Sequence, residues 1–191
     1  MTRWWWVRHG PTHQKAFTGW RDVPADLSNT GQIAQLIEHL PQAAVLISSD
    51  LQRASATADA IQTKQRRLAH EPRLRELNFG VWDGMMFNEV AARDPELSRQ
   101  YWEAPGDVRA PDGESWNDAA TRAAQVVDAL NTQGHSDIIA VAHFGIILTQ
   151  LQRASGKTAY DTLAQPIDPL SVTELHHDAG RWQVAGVNHI P

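Results

Sequence analysis

The chain predicts a single α/β domain with a mainly parallel central sheet, helices on both faces and a C-terminal hairpin. Three observations carry this. Short, nearly uninterrupted apolar runs (Trp4-Trp5-Trp6-Val7, Ala43–Ile47 and Asp137–Ala142) lack the alternation of a half-solvated strand and read as strands buried on both faces. Each precedes a segment whose apolar residues recur at helical spacing, and strand followed by helix is the pattern of a doubly covered sheet. The 191 residues hold no repeat, linker or low-complexity stretch, and that length suits one core and is short for two. Residues 1–191 therefore read as one domain.

In order, the first strand spans about Arg3–Val7. A loop rich in Gly, Pro, Asp and Thr runs through Leu27, and a helix starts near Thr30 with Ser28 or Asn29 as its cap. The strand Ala43–Ile47 leads into a helix over Asp50–Gln65, where Leu51, Ala54, Ala58 and Ile61 share a face. Ala69–Leu77 reads as extended and Phe79–Met86 as a loop with two glycines. Asn88–Glu103 reads as helix interrupted at Asp94-Pro95, because proline lacks a donor and restricts the residue before it. Ala104–Gly113 is loop, and Ser115–Thr132 is a helix burying Ala119, Ala123, Val126, Val127 and Leu130. Asp137–Ala142, the strongest buried-strand signal, ends at His143 and passes through Gly145 into a helix near Ile146–Ser155. Ser171–His177 and Arg181–Val187, joined by Asp178-Ala179-Gly180, form the hairpin.

Composition narrows the function classes. With 42% apolar and 20% charged residues the chain is ordinarily globular, and no apolar run approaches the ~20 residues that cross a bilayer. The N-terminus lacks the charged start, apolar stretch and small-residue cleavage site of a signal peptide, so a cytoplasmic protein is expected, with no membrane partner. No cysteine is present, which removes disulfides, thiol nucleophiles and thiolate metal sites. A net charge of −5 argues against nucleic-acid binding, so an anionic ligand has to be met by local positive charge. The oligomeric expectation extends to a homodimer and no further.

Local charge of that kind stands at the strand ends. Arg8-His9-Gly10 closes the first strand, placing an imidazole with an ordinary pKa near ~6.5 beside a guanidinium shaped to grip phosphate. His143 closes another buried strand, and in a doubly wound sheet the carboxyl ends of the strands share one edge. Phe144-Gly145 then opens a helix whose free N–H groups favour an anion. Arg53, early in the helix after the second strand, points to the same edge. Phosphoryl transfer to histidine also needs an acid for the leaving alkoxide, and Glu76 is the candidate, with Asp83 and Glu114 behind it.

The ordered set Arg8-His9-Gly10-Pro11-Thr12, Gly19-Trp20-Arg21-Asp22, Leu27 through Gly31, Ser48 through Thr57, Leu74 through Gly84, Gly113-Glu114-Ser115 and Ala142 through Gly145 resembles the histidine phosphatase superfamily, over about three quarters of the chain. The resemblance implies that His9 becomes phosphohistidine, that Arg8, Arg53 and His143 form the phosphate pocket, and that Glu76 is the proton donor. Thr12, Lys15, Gly19, Trp20, Phe144 and Gly145 are the expected substrate-binding residues, with backbone N–H groups around Phe144 and Gly145 as donors. Lys15 stands where such proteins commonly carry Asn, Pro11 replaces a frequent Glu and Phe144 a frequent Gly. The expected activity is a metal-independent phosphomonoesterase acting on a small phosphorylated metabolite, with no cofactor. A phosphoglycerate mutase-type transfer and a catalytically silent phospho-ligand module are the alternatives.

Nine histidines raise the question of a metal, yet His176-His177 lies on one strand, where neighbours point to opposite faces, and no metal site is expected. Among eight tryptophans, Trp4, Trp5 and Trp6 read as core or sheet surface, whereas Trp20, Trp82, Trp102 and Trp116 lie in or beside loops where a ligand wall could form.

Overall fold

Trp4-Trp5-Trp6-Val7 alternates its side chains across the sheet, and this divides the core. In the computed structural model, which describes all 191 residues, Trp4 and Trp6 are fully buried on one face and stack at 5.3 Å, while Val7 is buried on the other. The indole N–H of Trp4 reaches Asn131 at 2.9 Å and that of Trp5 reaches Asp137 at 2.9 Å, so neither ring is buried at the expense of its donor.

The strands are β1 (Thr2–Arg8), β2 (Val45–Ser48), β3 (Arg66–Arg67), β4 (Asp137–Ala142), β5 (Val172–Asp178) and β6 (Arg181–His189). They form one sheet in the order β3-β2-β4-β1-β5-β6. β3, β2, β4 and β1 run parallel; β5 and β6 are antiparallel additions, joined by a tight turn in which Ala179 and Gly180 take positive φ. Helices α1 (Thr30–His39) and α2 (Gln52–Ile61) cover the Val7 face with Ile33, Leu36, Ala54, Ala58 and Ile61. On the Trp4–Trp6 face lie α3 (Phe87–Arg93), α4 (Pro95–Glu103), α5 (Trp116–Asn131), α6 (Phe144–Ser155) and α7 (Ala159–Leu163). The larger cluster, 27 buried residues against 12, is on this second side, and the loops that build the site pack there.

Local signals hold at most boundaries. Asn29 caps α1 by accepting from the Gln32 N–H, Ser115 and Asp118 form a capping box at α5, and Pro95 starts α4 after the predicted break. The extended reading of Ala69–Leu77 is corrected: pairing stops at Arg67, and Pro72–Leu74 is a 3-10 turn whose first N–H, that of Arg73, donates to the Glu71 carboxylate. The second helix also ends earlier than expected, at Ile61, where the Gln65 side chain folds back onto the Thr63 N–H and the Pro41 carbonyl. The short α7 was not foreseen. No helix is long and apolar enough to cross a membrane.

Candidate active site

His9 and His143 meet because β1 and β4 are neighbours in register. Arg8 lies opposite Ala142, so the two residues that follow leave the sheet side by side. The His9 N–H donates to the Ala142 carbonyl at 3.1 Å, and the two rings are 5.1 Å apart. Nδ1 of His9 lies 2.7 Å from the Gly10 carbonyl oxygen. A carbonyl only accepts, so Nδ1 carries the proton and the lone pair sits on Nε2. Burial, and then the Arg53 and Arg8 guanidiniums, lower His9 to about 3 against the opposing Gly10 hydrogen bond, leaving the ring neutral at pH 7. Gly10 has no room for a side chain, since a Cβ would stand 2.6 Å from Leu27 Cδ2. Its N–H donates to Thr57 Oγ1, and that hydroxyl donates to the Arg53 carbonyl, tying the end of β1 to α2.

His143 is fully buried beneath His9, and neither ring nitrogen has a hydrogen-bond partner within the protein. Burial, then Arg53 and His9, hold it well below the ordinary histidine range. A buried donor without a partner costs free energy.

The two arginines are aimed by backbone carbonyls. Arg53, 1% exposed, donates to Arg21 O at 2.9 Å and Gly19 O at 2.7 Å. The loop carrying those carbonyls is itself held by Asp83, whose carboxylate accepts from the N–H groups of Gly19, Trp20 and Arg21. Arg8 donates to Ile167 O at 2.6 Å and lies 5.5 Å over the Phe144 ring. Burial lowers both guanidiniums from their ordinary values with Glu76 opposing, and both stay charged.

Glu76 is no surface carboxylate: it is 7% exposed and seated on the first turn of α6. Its Oε1 accepts from Gly145 N–H at 3.0 Å and Leu77 N–H at 3.0 Å, and Oε2 lies 3.1 Å from the same Gly145 nitrogen. A Cβ at Gly145 would stand 2.5 Å from Glu76 Oε1, so only glycine lets the carboxyl approach this closely. The Glu76 carbonyl accepts from Trp20 Nε1 at 2.8 Å and Arg122 Nη2 at 2.7 Å. Arg122 also holds the carbonyls of Arg73 and Arg75 and the Glu114 carboxylate. No local signal marks this role, since the neighbours of Arg122 in the chain are those of any arginine on α5.

Arg8, His9, Arg53 and Glu76 line a cleft of about 290 Å³, with Thr12, Lys15 and Phe144 on its walls; His143, wholly buried, lies against the His9 ring and not on the cleft surface. A model of the histidine phosphatase superfamily (branch 1) matches residues 4–190. The chain belongs to this superfamily. It is 30% identical over 190 residues to a bifunctional protein of Mycobacterium tuberculosis, covering 90% of this chain but 50% of that one, so it spans about half the length of that relative. A glucosyl-3-phosphoglycerate phosphatase of Mycolicibacterium vanbaalenii is 34% identical over 155 residues, 74% of this chain and 68% of its own. A solved mycobacterial glucosyl-3-phosphoglycerate phosphatase superposes with a TM-score of 0.85 at 25% identity, covering both chains completely.

Against this member of the superfamily, several expectations need correction. Gly19, Trp20 and Gly145 do not line the cleft. The N–H groups of Gly19 and Trp20 are engaged by Asp83, and that of Gly145 is committed to Glu76, so it is not a free donor for substrate. Asp83 and Glu114, the reserve acids, are occupied in holding backbone outside the cleft. Of the four loop tryptophans only Trp102 reaches the cleft; Trp82 and Trp116 are core, and Trp20 is 37% exposed. His176 pairs with Glu174 while His177 packs on Trp182 across the strand. The aromatic lining by Phe17, Phe79 and Phe87 was not foreseen.

Proposed function

We propose that the protein is a metal-independent phosphomonoesterase that works through a phosphohistidine on a small phosphorylated metabolite. The observation that carries this reading is the 2.7 Å bond from His9 Nδ1–H to Gly10 O, which leaves the Nε2 lone pair in a neutral, fixed ring facing the cleft. Nε2 attacks phosphorus, the P–O bond to the alcohol breaks, and the alkoxide oxygen takes the proton of Glu76. Arg8, Arg53 and His143 meet the charge on the equatorial oxygens. Water then attacks the phosphohistidine, Glu76 recovers a proton from it, inorganic phosphate leaves and Nε2 regains its lone pair.

The test is a millisecond quench with ³²P-labelled ester in the presence of EDTA. An acid-labile, base-stable phosphoenzyme that decays to inorganic phosphate is expected, together with inhibition by vanadate, which mimics the trigonal bipyramidal transition state. Activity lost in EDTA and restored by a divalent ion would overturn the metal-independent reading. Decay of the phosphoenzyme to an isomeric ester would replace the esterase with a mutase, and binding without any phosphoenzyme would leave the silent module.

A further inference from the structure

The alcohol released by the esterase just proposed must leave through the part of the cleft beyond Glu76, and that part is divided. Thr12, Gln14 and Lys15 give polar lining. Phe17, Phe79, Phe87, Trp102 and Phe144 give apolar lining, in which Phe17 and Trp102 stack at 5.7 Å and Phe79 lies 5.1 Å from Phe17. Phe87, at the rim, is 60% exposed, a large apolar side chain left in water beside the site. A narrow chamber of about 50 Å³ adjoins the cleft, sharing Glu76, Phe79, Trp102 and Phe144 with it and lined beyond them by apolar residues such as Val108, Trp116 and Leu163. Tyr101 also lines it, 5% exposed, and neither its hydroxyl nor the Trp102 Nε1 finds a partner in the protein.

On this apolar lining a sugar or glycerate leaving group finds partners only in the Tyr101 hydroxyl and the Trp102 Nε1–H, and each further hydroxyl set against the rings is left unmet, at a cost in free energy. An apolar group would instead remove Phe87 and Trp102 from water. We infer that the substrate of this site is the phosphomonoester of an apolar alcohol, its alkyl or aryl group lying on the Phe17–Phe87–Trp102–Phe144 wall with the tip entering the chamber beside Glu76. The inference rests on the esterase reading. Lys15, also in the lining, makes a carboxylate-bearing leaving group the sharpest competitor.

The test compares kcat/KM for n-hexyl and benzyl phosphate with that for glycerol 3-phosphate, glucose 6-phosphate and 3-phosphoglycerate. All five release basic alkoxides, so their order reports contacts with the leaving group rather than its chemistry. The apolar esters should lead by roughly 10- to 100-fold, the selectivity expected from burying a group the size of a leucine or phenylalanine side chain. Val108→Trp, which fills the chamber, should erase most of the hexyl advantage. Phe87→Ser, at an exposed position whose change spares the core, should narrow the ratio by about threefold to tenfold. Equal rates, or a lead for glucose 6-phosphate or 3-phosphoglycerate, would overturn the inference and leave the esterase standing. Hydrolysis of none of the five, with no phosphoenzyme, would remove the esterase and this inference together.

Discussion

The two ends of the cleft are built on opposite plans. At the phosphate end, Arg53 is locked by two carbonyls, Arg8 by a third, His9 by Gly10 and Glu76 by the N–H of Gly145. At the leaving-group end, aromatic rings from four separate segments lean on one another, Phe87 stands in water, and Tyr101 and Trp102 have unmet donors. Charge transfer requires donors held in place before the reaction, because a group that must reorient gives back part of its stabilisation. Recognition of an apolar group needs only area and shape. Changes at the first end should therefore act on kcat, and changes at the second on the ranking of substrates.

His9→Ala is the hardest test of that division. It should lower kcat for every ester by at least ~10³-fold and abolish the trapped phosphoenzyme, since the loss of a nucleophile is shared by all substrates. Residual turnover within tenfold of wild type would show that the phosphate end is not organised around His9.

Glu76→Gln comes next and should discriminate by leaving group. Single-turnover phosphorylation by alkyl phosphates should slow by ~10²–10⁴-fold, and that by p-nitrophenyl phosphate at least ~10-fold less, because p-nitrophenolate departs without a proton. Equal slowing would reduce Glu76 to a wall of the pocket. Asp83 and Glu114, tied to backbone and to Arg122, could not take over.

Acid should find the phosphate end before the other. Unfolded histidine protonates near pH ~6.5, whereas folded His9 does so at about 3 and His143 also well below its ordinary value. Between those limits the unfolded chain binds more protons, so stability falls as pH is lowered, by up to ~1.4 kcal/mol per pH unit for each ring. Tm measured from pH 7 to pH 5 should drop, and His143→Ala should flatten the dependence. Phe87→Ser should leave it unchanged; a slope that followed Phe87 would mean the two ends are coupled.

Lys15→Met should have the smallest effect. Lys15 is exposed on the cleft wall, where a lone cation is screened by solvent and salt. KM should rise about two- to fivefold at low ionic strength and converge on wild type in ~0.5 M salt. A salt-independent loss in kcat would place Lys15 among the phosphate-end donors.

This division follows what could be read in advance. His9, His143 and Arg8 were legible because each sits at or beside the carboxyl end of an apolar run, and parallel strands bring such ends to one edge whatever the loops do. Arg53 was legible for the same reason, at the second position of the helix after β2. The capped helices and the Asp178–Arg181 turn were equally local. Local pattern carries no information where a residue's surroundings come from distant chain. Leu74–Gly80 carries no strand pairing and is shaped by Arg122, Trp20 and Glu114, residues 36 to 56 positions from the atoms they hold.

The sequence by itself determined the order of the main strands and helices, the edge where their carboxyl ends gather, and the residue types present there, because hydrophobic period, caps and chain direction act over a few residues. Only the tertiary structure decided which nitrogen of His9 is free, that Gly145 receives Glu76 instead of substrate, and that Phe17, Phe87, Trp102 and Phe144 share one wall. Each of these is an orientation or a contact between segments tens of residues apart. It is set by packing and by the pairing of buried donors with acceptors, which no local pattern encodes.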